Sequence, residues 1–283
     1  MVAYLYKDVT IPDGFLAGPS AELVTMEFVD FAASSIPEHE GKTAVVMDNV
    51  LSEAECQQYM ALAEEAALWA PALVNVGKGL ESYIPKHRLS LRIVWDHQGM
   101  VALIFSRCLQ VPELQKLLSR PPKLDATSKH GAVNPEHWEL VGLNNRMRVL
   151  KYIKGEYFEG DEDGTLYASF YSIHVYMNDS TTESPPPEGG CVGGATGFYS
   201  EDEKRSFDIQ AVTGRALIFQ QRGLRHSGEV VKEGTLCTAI SALDEEYVIH
   251  GPNGQDDSQR PATHWDWARL KIFRFSMADY YNA

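Results

Sequence analysis

The chain has no run of about 18 apolar residues, so no membrane-spanning helix is expected. It has no basic stretch either: Lys and Arg number 25 against 39 Asp and Glu, a net charge of −14. That balance argues against nucleic acid or an anionic membrane as the main partner, because both need clustered cations. Cysteine is scarce. Four occur in 283 residues, at Cys56, Cys108, Cys191 and Cys237, and none forms a Cys-x-x-Cys pair. A zinc ribbon or a dithiol redox motif is therefore not expected. The first residues, MVAYLYKDVT, lack a basic segment followed by an apolar core, so no secretory signal is expected. Reduced thiols and a cytoplasmic location follow from that reading. Neither a Gly-x-Ser-x-Gly elbow nor a phosphate loop is present. Asp161-Glu162-Asp163-Gly164 opens like a calcium loop, but the glycine and glutamate that an EF-hand needs further along are missing.

What is present divides by pattern. Residues 1–43 mix apolar and acidic residues with Pro and Gly and are expected to form a loose arm. A helical layer is expected over 44–139. Ser52 and Glu55 have the spacing of a capping box, and Leu51, Cys56, Met60, Leu62 and Ala63 follow as an apolar stripe. A second helix is expected over 100–118, interrupted near Pro112. From 140 to 250 the pattern changes to short alternating strands: VGLNNRMRVLKYI, ASFYSIHVYMN, SFDIQAV, RALIFQQ and TLCTAISAL. STTESPPPEGG between two of them reads as a surface loop. Helices followed by antiparallel strands indicate an α+β domain with a barrel or sandwich. Residues 251–283 are expected to close the same domain as an amphipathic extension.

The segments RVLKYIKGEYFEGDEDG, SFYSIHVYMND, GGATGFY and TGRALIFQQRGLRHSGEVVKEGTLCTAISALDEEY resemble, in order and spacing, the catalytic barrel of the prolyl 4-hydroxylase-like Fe(II)/2-oxoglutarate oxygenases. MDNVLSEAECQQYMALAEE and HRLSLRIVWD resemble that family's N-terminal part. The resemblance spans about residues 44–247. It implies a double-stranded β-helix, a jelly-roll or cupin-like barrel braced by N-terminal helices, with Fe(II) and 2-oxoglutarate as cofactors.

Carried over residue by residue, the resemblance puts the carboxylate ligand on Asp163 and the distal histidine on His226. The proximal histidine position holds Asp161. Asp161 and Asp163 are two apart and share a face on a strand; with His226 they make an anionic set suited to hard divalent ions. The family's late strand supplies a cation for the 2-oxoglutarate carboxylate, yet here those positions are Leu236 and Ile240. Thr238 completes their inward register. Arg148, Lys151, Arg222 and Arg225 are the candidate replacements, although such residues more often solvate a strand edge. Tyr152 and Phe158 fall on pocket positions. Tyr176 matches a pocket-facing tyrosine, and His174, two residues earlier on the same face, stands where the family has an aliphatic residue. His174 reads as a replacement ligand, a general base or a hydrogen-bonded core residue. Gly193, Gly194 and Gly228 read as turn residues.

The expectation is an enzyme of oxygenase fold acting on a small organic substrate. His174, His226, Asp161 and Tyr176 would be acid, base or hydrogen-bonding groups for a non-oxidative step such as cyclisation or isomerisation. Two alternatives stand beside it: a working Fe(II)/2-oxoglutarate hydroxylase with unusual ligands, and a non-catalytic partner, homo- or hetero-dimeric, of an active homologue.

Overall fold

The computed structural model describes residues 6–77, 80–119, 138–161 and 169–247. Asp163, most of the Pro-rich stretch before the barrel and the extension 251–283 lie outside the described residues.

Along the chain run β1 (Thr25–Phe28), β2 (Ala44–Asp48), helix α1 (Glu53–Ala66), and the short strands β3 (Ala70–Pro71), β4 (Val74–Gly77), β5 (Leu80–Ser82) and β6 (Arg88–Leu89). Next come β7 (Leu91–Asp96), helices α2 (Gln98–Cys108) and α3 (Pro112–Leu118), β8 (Trp138–Leu143), β9 (Arg146–Ile153) and β10 (Tyr157–Asp161). The remainder is all strand: β11 (Ser169–Tyr176), β12 (Ser180–Thr181), β13 (Cys191–Gly193), β14 (Thr196–Tyr199), β15 (Ser206–Ile209), β16 (Ala216–Gln220), β17 (His226–Gly228) and β18 (Val231–Tyr247).

The helical layer forms where its local signals lie. Ser52 Oγ accepts from Glu55 N at 3.3 Å and Ser52 N donates to Glu55 Oε2 at 2.8 Å, closing the capping box of α1. Cys56, Tyr59, Leu62, Ala63 and Ala66 give α1 its buried face. Pro112 ends the reach of α2 and opens α3, where its missing N–H costs nothing. Among the described residues no helix is long and apolar enough to cross a membrane.

The strands form two sheets. One follows the path β1-β2-β16-β11-β18-β9-β7-β3, and the other is β15-β14-β17-β10-β6. The chain passes back and forth between them, so that β9, β18, β11 and β16 face β10, β17, β14 and β15. That winding is a double-stranded β-helix, and the fold is α+β.

Alternation sorts the side chains into two cores. On β9, Met147 and Val149 join the cluster under the helices, whereas Leu150 and Tyr152 join the cluster between the sheets. On β18, Ala239 and Leu243 point to the helices and Leu236 to the barrel. Both faces of the large sheet are thus covered, and each fully buried aliphatic chain contributes about 1.5–3 kcal/mol.

Two expectations change. Residues of the N-terminal arm are built into the fold: β1 pairs antiparallel with β2, and Phe15, Leu16, Phe31 and Ile36 are buried. Their pattern carries no period because they fill gaps in a core made by distant strands. Gly228 is a strand residue of β17 opposite Phe158, not a turn. Gly193 and Gly194, by contrast, have φ of +81° and +73°, and a Cβ on Gly194 would press on Leu236 at 3.0 Å.

Candidate active site

The barrel's inner surface is read in rows of directly paired residues, which share a face of the sheet. One row crosses the large sheet as Val94, Arg148, Ile240, His174 and Leu217. The next is Arg92, Leu150, Thr238 and Tyr176, and a third pairs Tyr152 with Leu236. Leu150, Tyr152, Tyr176, Leu217 and Leu236 all belong to the cluster between the sheets, so these rows line the barrel.

From the opposite sheet comes His226, at the start of β17. It pairs with Asp161 of β10 on one side and Phe198 of β14 on the other. The pairing of β10 with β17 shifts register between Phe158 and Asp161. His226 is 3% exposed, and its ring lies 4.6 Å from Phe219, 5.9 Å from His174 and 6.2 Å from Phe158 between centroids. His174 is itself buried and meets the edge of Phe219 at 5.1 Å. Two imidazoles from opposite sheets therefore meet in an aromatic box.

Among the described residues two polar atoms here have no hydrogen-bond partner: His226 Nδ1 and Thr238 Oγ1. An unsatisfied buried group costs about 1–3 kcal/mol, and interiors rarely keep one without a reason. Tyr176 is different: its hydroxyl pairs with Thr196 Oγ1 at 2.7 Å, and burial pushes its pKa far up, so its proton is held.

The end of the barrel beside Tyr152 is apolar. Leu236, Leu150, Phe198 and Val231 are all buried there. A dianion's distal carboxylate placed against Leu236 would lose its hydration with nothing in return, at a cost of several kcal/mol. The residues at the family position thus do not fit 2-oxoglutarate. For iron, the described donors are His174 and His226. Asp161 is placed by its backbone, and no group of three or more His, Cys, Asp or Glu is arranged to hold a metal among the described residues.

The candidate replacement cations go separate ways. Lys151 lies on the outer face, 4.0 Å above the Trp69 ring and 3.3 Å from Glu64. There it borders a surface groove of about 430 Å³ between α1 and β18 that also takes Cys237. Arg225 pairs with Glu203 at 3.0 Å. Arg222 stacks over Phe170 at 5.5 Å. Arg148 alone of the four stands in a barrel-facing row.

Sequence reasoning missed the company Arg148 keeps. Arg92, 3% exposed, holds Glu81 through two hydrogen bonds of 3.0 and 2.8 Å. Arg88 lies 4.4 Å over the Phe158 ring. Arg88 lies on β6 of the small sheet and Arg92 on β7 of the large one, so no single strand pattern in HRLSLRIVWD shows that they meet. Burial holds the Arg148 pKa below its ordinary value, and the charges of Arg146, Arg92 and Arg88 press it the same way while Glu81 opposes them.

Solved structures similar to this chain include prolyl hydroxylases and a 2OG-Fe(II) oxygenase. A viral collagen prolyl hydroxylase from Paramecium bursaria Chlorella virus-1, in complex with 2-oxoglutarate, is 20% identical, with 72% of this chain and 97% of that one covered and a TM-score of 0.43. A prolyl hydroxylase from Trichoplax adhaerens, in complex with a hypoxia-inducible-factor peptide, is 12% identical over 73% and 86%, TM-score 0.48. A 2OG-Fe(II) oxygenase family oxidoreductase from Burkholderia pseudomallei is 11% identical over 86% and 96%, TM-score 0.41. No protein-family model and no curated protein matches the sequence. Likeness at this level carries no argument; the fold rests on this chain's own strand pairing and the chemistry on its own residues.

Proposed function

We propose that the barrel binds a small organic substrate and carries out a non-oxidative proton-transfer step, an isomerisation or a ring closure, with His174 and His226 as the acid–base pair. The observation that supports this most is the buried, partnerless Nδ1 of His226 beside the His174 ring, 5.9 Å between centroids. One imidazole takes a proton from a substrate C–H or O–H. The other, protonated, returns one to a different atom. Bonds shift within the substrate, and it neither gains nor loses electrons. Positioned acid–base groups of this kind contribute roughly 10²–10⁴-fold in rate. The aromatic box of Phe158, Phe198 and Phe219 excludes water and orients the substrate. Thr238 Oγ1 offers a hydrogen bond to a substrate oxygen.

A second reading, a working oxygenase with unusual ligands drawn from Asp161, Asp163, His226 and His174, is supported by the direct pairing of Asp161 with His226. Anaerobic titration with Fe(II) and 2-oxoglutarate separates the two. The first reading expects no visible charge-transfer band from the folded protein. A saturable band would overturn it and establish the second.

A further inference from the structure

We propose that Arg148 anchors a carboxylate of the ligand that occupies the barrel, so that the site selects small organic acids. The inference rests on the barrel being a ligand site, and it names the class of ligand.

Place comes first. Arg148 shares its row with His174, separated only by Ile240 of β18. Adjacent strands lie about 4.8 Å apart, so the two Cα positions are roughly 10 Å apart, with side chains on the same inner face. A molecule the size of an aromatic or branched-chain acid spans that gap, its acidic end at Arg148 and its reacting carbons at the histidines.

Charge comes second. Arg146 is matched by Asp96 at 2.9 Å and Arg92 by Glu81 at 2.8 Å. Among the described residues no hydrogen bond or ion pair engages the Arg148 guanidinium, and Arg88 Nε is buried with no hydrogen-bond partner. Among the described residues, four guanidiniums, at Arg88, Arg92, Arg146 and Arg148, gather with two carboxylates, Glu81 and Asp96. A guanidinium taken out of water without a counter-charge is costly, and an arriving anion removes that cost.

Shape comes third. The planar fork of arginine matches the two oxygens of a carboxylate in a way that lysine does not. Arg88, stacked on Phe158, carries the same charge toward the ring that touches His226. This cation stands on β9, away from Leu236 at the apolar end, so an acid held by it reaches the histidines from a different direction.

Saturation-transfer NMR on the intact protein tests this with three probes: benzoate, its neutral counterpart benzamide, and 2-oxoglutarate. Saturable binding of a carboxylate is expected, with no binding of benzamide and at least tenfold weaker binding in Arg148→Gln. Benzoate binding assigns the site to a substrate acid, whereas 2-oxoglutarate alone assigns it to the co-substrate. Equal binding in wild type and Arg148→Gln, or no carboxylate bound by the folded protein, overturns the proposal. Should Arg148→Gln fail to fold, Arg148→Lys must weaken binding several-fold, and unchanged binding there overturns it as well. The readout is binding rather than turnover or a charge-transfer band, so this proposal and the acid–base reading fail separately.

Discussion

His174 and His226, on strands of opposite sheets, stand edge to face at 5.9 Å inside the barrel. Their contact exists only because the sheets are wound against each other, and it sets two imidazoles among apolar and aromatic side chains of the barrel.

Replacing His226 by Phe should leave stability unchanged or raise it by about 1 kcal/mol. The change removes an unsatisfied buried nitrogen and keeps a flat ring among Phe158 and Phe219. Urea unfolding measures this. A loss above about 2 kcal/mol would show that His226 is held for structure.

Leu236→Lys should lower stability by several kcal/mol, because it buries a charge where Gly194 and Val231 already press close. On the acid–base reading, 2-oxoglutarate does not restore the melting temperature of this variant. Recovery on adding 2-oxoglutarate would mean that the apolar end still accepts the co-substrate.

Arg107, 2% exposed in its side chain, clamps Glu55 through hydrogen bonds of 2.9 and 2.7 Å and ties α2 to the start of α1. Glu55→Ala strands that guanidinium and should cost about 3–5 kcal/mol. Burial opposes ionisation of Glu55, but hydrogen bonds from Arg107 and Ser52 outweigh it, so its carboxyl lies below the ordinary value. The folded state then binds fewer protons than the unfolded chain around that value. The contribution is fully present above the ordinary glutamate pKa and is lost as pH falls through the folded one. Chemical denaturation between neutral and acidic pH should show wild type losing more stability than Glu55→Ala.

The four cysteines should be slow toward thiol reagents at neutral pH. Burial pushes Cys56 and Cys108 up to about 12, and Cys191 and Cys237 up to about 11. Cys237, half-buried in the outer groove, should label first as pH rises. Peptide mass spectrometry after timed alkylation reads the order, and fast labelling of Cys56 at neutral pH would contradict the burial seen here.

Much of the architecture was written locally. The capping box at Ser52, the helix break at Pro112 and the period-two alternation from Arg146 to Ile153 depend on neighbours in sequence, so they can be read without a fold. Alternation also gave the inward register of Leu236, Thr238 and Ile240, because successive strand residues point to opposite faces. What the sequence could not decide were choices between distant strands. Alternation separates Arg148, on the face of Tyr152, from Lys151 on the other, but does not fix what each meets: Arg148 enters the barrel row of His174 and Lys151 lies over Trp69. Nor does any pattern announce that Thr25–Phe28 pairs with β2, or that Arg88 and Arg92 gather beside Arg148. Pairing partners are fixed by which edges the whole chain leaves open, and the charge of a site by which side chains that pairing brings together.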